Sequence, residues 1–312
     1  MINRSLIKVF LINLIFLFLF NNLNAETVSE DKPISDSTET NQQNIDTAEV
    51  TLTITNSTVT RGNKSIVVNS GLADVSISID SNSTVKTTSG DNPILGENTT
   101  RLSVDNYGTI TSSSKKAIDI YRTTDATITN NSGGEIYAAG NTFRIGGKSD
   151  DNSVGYTITN SGKIYSTNTT NSAIFGNANS TGGKIVNNSG GEIYSSGSQA
   201  TIKVGASTTI TNSGSIKNNS DLDNSSISLL GNSNTVTLKN DGIVVGVIEA
   251  ADGTTGNKLQ MQHGFGQGYF YETSGDFTLE DLDGNQVVKG SAGSVGQGGS
   301  ETLDELLGYK SL

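Results

Sequence analysis

The chain has no cysteine, no tryptophan, two prolines and one histidine in 312 residues. Without thiols it can have neither a disulfide framework nor a cysteine nucleophile nor a zinc–thiolate site. The lone histidine, His263, sits between Gln262 and Gly264 with no nucleophile elbow anywhere in the chain, so it reads as a solvent-facing loop residue and not as a triad base. Cations are short as well: 20 Lys+Arg stand against 31 Asp+Glu, a net charge of −11. A chain this acidic does not suit nucleic acid, which demands clustered cations. Apolar residues make up 33% of the chain, low for a globular protein. Such scarcity would permit disorder were the apolar residues scattered.

They are not scattered. One phrase recurs, an asparagine, a small residue or two, a glycine, then a branched aliphatic: Asn106-Tyr-Gly-Thr-Ile110, Asn131-Ser-Gly-Gly-Glu-Ile136, Asn160-Ser-Gly-Lys-Ile164, Asn188-Ser-Gly-Gly-Glu-Ile193, Asn212-Ser-Gly-Ser-Ile216 and Asn240-Asp-Gly-Ile-Val244. Asn56-Ser-Thr-Val59 and Asn82-Ser-Thr-Val85 open the series without the glycine, and the anchors fall 23 to 29 residues apart. A period of that length marks a supersecondary unit stacked on copies of itself.

Each period holds three short apolar stretches, as in Tyr156-Thr-Ile158, Lys163-Ile164-Tyr165 and Ala173-Ile174-Phe175. Three strands per turn with asparagine and glycine at the bends describe an all-β, right-handed parallel β-helix with coils of about 26 residues. Alternate residues then point inward, and stacked asparagines can bond up a column. About eight coils are expected over 49–249. No coil buries enough to stand alone, so the stack must be cooperative.

The flanks read differently. Residues 1–25, with Arg4 and Lys8 before an apolar run from Val9 to Phe20 and a small residue at Ala25, form a signal peptide and predict export. Cleavage there leaves 18 Lys+Arg against 31 Asp+Glu, or −13. Residues 26–48 are polar and aperiodic and are expected to be a disordered lead-in. Beyond Glu249 the phrase disappears. Residues 250–290, with Phe265, Tyr269, Phe270, Tyr271 and Phe277, are expected to form a C-terminal cap of a different pattern, and 291–312 a flexible tail.

A signal peptide, Asn-Ser-Gly-x-Ile coils and a C-terminal β segment resemble the passenger part of bacterial autotransporters, over most of residues 26–290. The resemblance implies display on the cell surface or outer membrane, or release outside the cell, through a β-barrel translocator. Nothing after Tyr269 supplies the alternating strands of such a barrel. Either the product is truncated, or the translocator is a separate chain, or the protein stays periplasmic or leaves by another route. Membrane association would then come only through a separate or missing translocator.

Candidate chemistry is sparse. Tyr137, Tyr165 and Tyr194 each follow an inward isoleucine on three successive coils, so they should stack in a row facing solvent. Such a row can stabilise the sheet face, or it can pack against sugar rings or another protein. Asp119, Arg122 and Arg144 lie on neighbouring coils in differently spaced turns, which reads as coincidence. Asp281-Leu-Asp283-Gly-Asn285 has calcium-type oxygens without the remaining EF-hand ligands, and reads as a turn. No catalytic residue, metal site or cofactor is expected. The leading function is non-enzymatic adhesion or cell-surface interaction with glycans or surface proteins. The alternatives are a carbohydrate-active β-helix enzyme and a truncated passenger without independent function.

Overall fold

The computed structural model describes residues 25–147, 151–220, 223–239, 242–262 and 272–285. The leader, the tail, His263 and the aromatics Phe265, Tyr269, Phe270 and Tyr271 lie outside these. Within them the chain is all-β, wound as a parallel solenoid whose strands form two sheets of eleven and one of nine. Each coil visits the first, second and third sheet in turn, and every pairing between named strands is parallel with the strand one coil away. No helix among the described residues is long and apolar enough to cross a membrane.

Strand composition explains the winding. In Thr157–Asn160 and Lys163–Ser166 burial alternates strictly, so every second side chain enters the bore. Ile110, Ile136, Ile164, Ile193 and Ile216 line one inner column, each in register with the next and fully buried. Ile66, Ile94, Ile118, Phe143, Ile174, Ile202 and Ile227 line another. β-branched side chains suit this pleated, in-register packing because their restricted rotamers cost little entropy there.

The bend between the second and third sheets carries a buried asparagine ladder. Nδ2 of Asn106 donates to Oδ1 of Asn130, and the relay continues through Asn160, Asn187 and Asn212, each step 2.8 Å. In the doubled Asn-Asn phrases it is Asn130 and Asn187 that turn inward, while Asn131 and Asn188 sit one place further along the bend. The glycine of the phrase is also needed for a reason other than left-handed freedom. A Cβ on Gly162 would lie 2.1 Å from the Gly134 carbonyl oxygen of the coil below. The preceding glycine of a Gly-Gly pair is the left-handed one: Gly133 has φ +85° and open space around it.

A second bend follows the first sheet and has no consensus. Glu49, Asp74, Arg101, Asp125, Gly155, Gly182, Ser207, Ser233 and Gly256 all take positive φ, and the amides from Glu49 to Ser233 each bond to the next coil.

Two expectations about the flanks are corrected. Residues 26–48 are the first coil and the start of the second, not a disordered lead-in: Ala25–Val28, Lys32–Ser35 and Gln42–Ile45 are strands, and Val28, Ile34 and Ile45 are buried. The repeat was missed there because its inner positions are charged. Glu26, Lys32 and Glu39 occupy the columns continued by Gln43, Leu52 and Val59. Lys32 Nζ lies 2.6 Å from Glu26 and donates to Gln43 at 2.7 Å, closing the bore with a polar plug. At the other end, Val247–Ala250, Lys258–Met261, Glu272–Ser274 and Thr278–Asp281 extend the first and second sheets by parallel pairing, with one register shift between Ser225 and Ile227. The described part of 250–290 is therefore further coil and not a cap of new pattern, with Phe277 packed against the core.

Candidate functional site

The third sheet shows two outward rows. One runs Lys86, Thr111, Tyr137, Tyr165, Tyr194 and Lys217 by strand register. The other places Glu135, Lys163 and Glu192 beside the three tyrosines. The structure brings the tyrosines together as a continuous stack, with ring centroids 4.8 and 4.7 Å apart and interplanar angles of 7° and 4°. The spacing is simply that of the strands, roughly 4.8 Å. Burial against neighbouring rings raises the Tyr165 and Tyr194 pKa above the ordinary phenol value, the nearby glutamates adding to it.

This geometry decides what the row can touch. Ring faces turned toward one another are covered, so solvent meets ring edges and phenol oxygens. At its two ends the row continues with Thr111 beside Tyr137 and Lys217 beside Tyr194. Along the row, contact is therefore edge-on.

The first sheet carries a second constellation. Register lines up one outward row across its short strands as Leu95, Asp119, Arg144, Phe175 and Lys203, with Glu97 and Tyr121 paired in a second. The guanidinium of Arg144 binds Asp119 through Nε at 2.7 Å and Nη2 at 2.6 Å, and Asn92 Nδ2 donates to the same carboxylate at 2.8 Å. Asp119 is 1% exposed, so its charge is consumed in these bonds. Asp119 and Arg144 are therefore deliberate partners and not chance neighbours. Arg122 is not among them; it faces Asp151 at 2.6 Å and Glu97 at 3.7 Å. Sequence reasoning passed over Lys116, Tyr121 and Lys203 and treated Phe175 only as a strand residue. The signal was available in the middle residues of Ile118-Asp-Ile120, Phe143-Arg-Ile145, Ile174-Phe-Gly176 and Ile202-Lys-Val204 once the coils are aligned.

Asp281 accepts bonds from the backbone amides of Asp283 and Asn285 at 2.9 and 2.8 Å and from the Asn285 side chain. These oxygens close a turn on its own backbone. No group of three or more potential metal ligands occurs among the described residues. A shallow polar groove of about 400 Å³, lined by Asp36, Ser37, Asn56 and Asn82, opens on the bends of the first coils. Asn56 spans it to Asp36 at 2.7 Å.

No protein-family model, curated protein or solved structure matches the chain.

Proposed function

We propose that this is an exported β-solenoid of the autotransporter-passenger kind, acting at the cell surface by contact and not by catalysis. The observation that carries the reading is the tyrosine stack, which sets three partly exposed aromatic rings and a Glu135/Lys163/Glu192 row on an otherwise polar face. Ring edges and hydroxyls fixed at strand spacing suit a flat protein surface or an extended glycan laid across the coils. Aromatic residues are strong contributors at such contacts because they present large area at low entropy cost. The mutual neutralisation of Asp119 and Arg144 supports contact over bond cleavage, since neither is held ready for a substrate. The leader-like segment supports export.

The test is cell binding and glycan-array binding by the purified mature chain, compared with Tyr165→Ala and Tyr165→Phe. The alanine variant should keep its β-sheet circular dichroism and lose binding, and the phenylalanine variant should retain most of it. If the alanine variant unfolds or binds unchanged, the tyrosines are a structural stack and the surface reading loses its support.

A further inference from the structure

The first described coil brings an amine, a primary amide and a carboxylate within bonding distance of one another. Gln43 and Lys32 stand in the columns continued by Ile66 and Leu52. Lys32 Nζ lies 2.6 Å from Glu26 Oε2 and donates to Gln43 Oε1 at 2.7 Å. Gln43 Nε2 donates to the same Glu26 oxygen at 3.3 Å and to the Asn41 carbonyl at 3.1 Å. The amide is thereby fixed in one orientation, its oxygen toward the amine and its nitrogen toward two acceptors. Gln43 is fully buried and Lys32 largely so. A second cluster of the same three residue types, Lys258, Gln260 and Glu280, lacks this arrangement. There the amide oxygen accepts from Thr237 at 3.0 Å and not from the lysine.

We propose that Lys32, Gln43 and Glu26 form an intramolecular isopeptide bond, from Lys32 Nζ to Gln43 Cδ, that staples the first coil shut. Cδ lies one bond beyond the oxygen that Lys32 already touches, so attack needs only a small rotation of the amine. Glu26 Oε2 meets both nitrogens and can serve as base and then as acid. It takes a proton from the Lys32 ammonium, the freed amine adds to Cδ, and Glu26 passes the proton to Nε2. The Cδ–Nε2 bond then breaks. Ammonium and primary amide have become a secondary amide and one ammonium ion, with no oxidant or reductant. The bond to Lys32 holds Glu26 below the usual carboxylate range, which keeps the amine protonated at rest and makes the step slow near neutrality. The product ties the second sheet to the first across the bore, independently of anything the tyrosine stack does. Among the described residues this coil has a neighbour on one side only, and such coils fray most readily. A chain without cysteine has no disulfide to hold it.

Mass spectrometry of the full chain tests the assignment, before and after several days at about pH 9, where more lysine amine is free. The parent should become lighter by one ammonia, and cleavage at Asp36 and Glu39 should leave a branched peptide joining Lys32 to Gln43. Lys32→Arg keeps the charge and should yield no joined peptide. Glu26→Gln should yield it at least about a hundredfold more slowly, with the circular dichroism of both variants like that of the parent. In the joined form, amide hydrogen exchange across Ala25–Val28 should be slower than in Lys32→Arg. A parent that gives only separate peptides after incubation would overturn the proposal, whether or not ammonia is lost. A bond to Gln43 from another lysine, or one formed equally fast in Glu26→Gln, would overturn the assigned roles.

Discussion

Asn160 is the middle rung of five buried amides, accepting from Asn130 and donating to Asn187. Asn160→Ala leaves the Asn187 oxygen without its donor and the Asn130 amide short of an acceptor, and should cost about 2–4 kcal/mol in urea unfolding. Asn160→Asp should cost more, because it sets a buried carboxylate against the Asn187 oxygen. The ladder starts at Asn106 because the inward residue one coil earlier is Ile79, and Asn106 Oδ1 is left without a partner. Tyr156 gives a titratable handle on the same core. It is fully buried in space left by Gly183, where a Cβ would lie 2.1 Å from its ring. Burial raises its pKa from 10.0 to about 12. The unfolded chain therefore releases this proton first, near pH 10, so stability falls as pH rises from about 10 to about 12. Thermal melts across that range should show a shallower decline for Tyr156→Phe than for the parent.

At the scale of strands and bends, the first described coil differs from those that follow it. Glu26, Lys32 and Glu39 stand where later coils carry aliphatics, and inward-pointing charge is a device that keeps exposed sheet edges from pairing with another molecule. Replacing all three with leucine should produce end-to-end association, seen as higher-mass species by light scattering; a monomer at every concentration would contradict that role. The same device hid these strands from sequence reading, which relied on apolar period. Strands from Thr51–Thr55 to Ser225–Leu229 were legible because Ile-x-Val and Asn-Ser-Gly recur in phase. The left-handed bend was not, since Glu49, Asp74, Arg101, Gly155 and Ser207 share a backbone angle and no side-chain chemistry. The tyrosine row was legible from its place after each inward isoleucine. Its closed faces were not, because ring tilt is set by packing between coils and not by local order. Asp119 and Arg144 read as coincidence because loops of different length separate residues that the register makes direct neighbours.

Over the described residues, eleven strands at roughly 4.8 Å make a rod about 48 Å long. Its three faces carry different chemistry on one scaffold: tyrosine edges, the Asp119–Arg144 pair in line with Phe175 and Lys203, and on the second sheet a column from Thr53 through Asp105, Thr159 and Thr211 to Gln260. That last column measures the winding directly. The chain lacks cysteine, so paired spin labels can be placed at Thr53→Cys with Thr159→Cys, Thr211→Cys or Gln260→Cys without background. Register sets these partners four, six and eight coils away, and pulsed dipolar spectroscopy should give narrow distributions near ~19, ~29 and ~38 Å. Broad distributions, or distances that do not rise in proportion to the number of coils, would contradict a stack in which each turn lies directly upon the last.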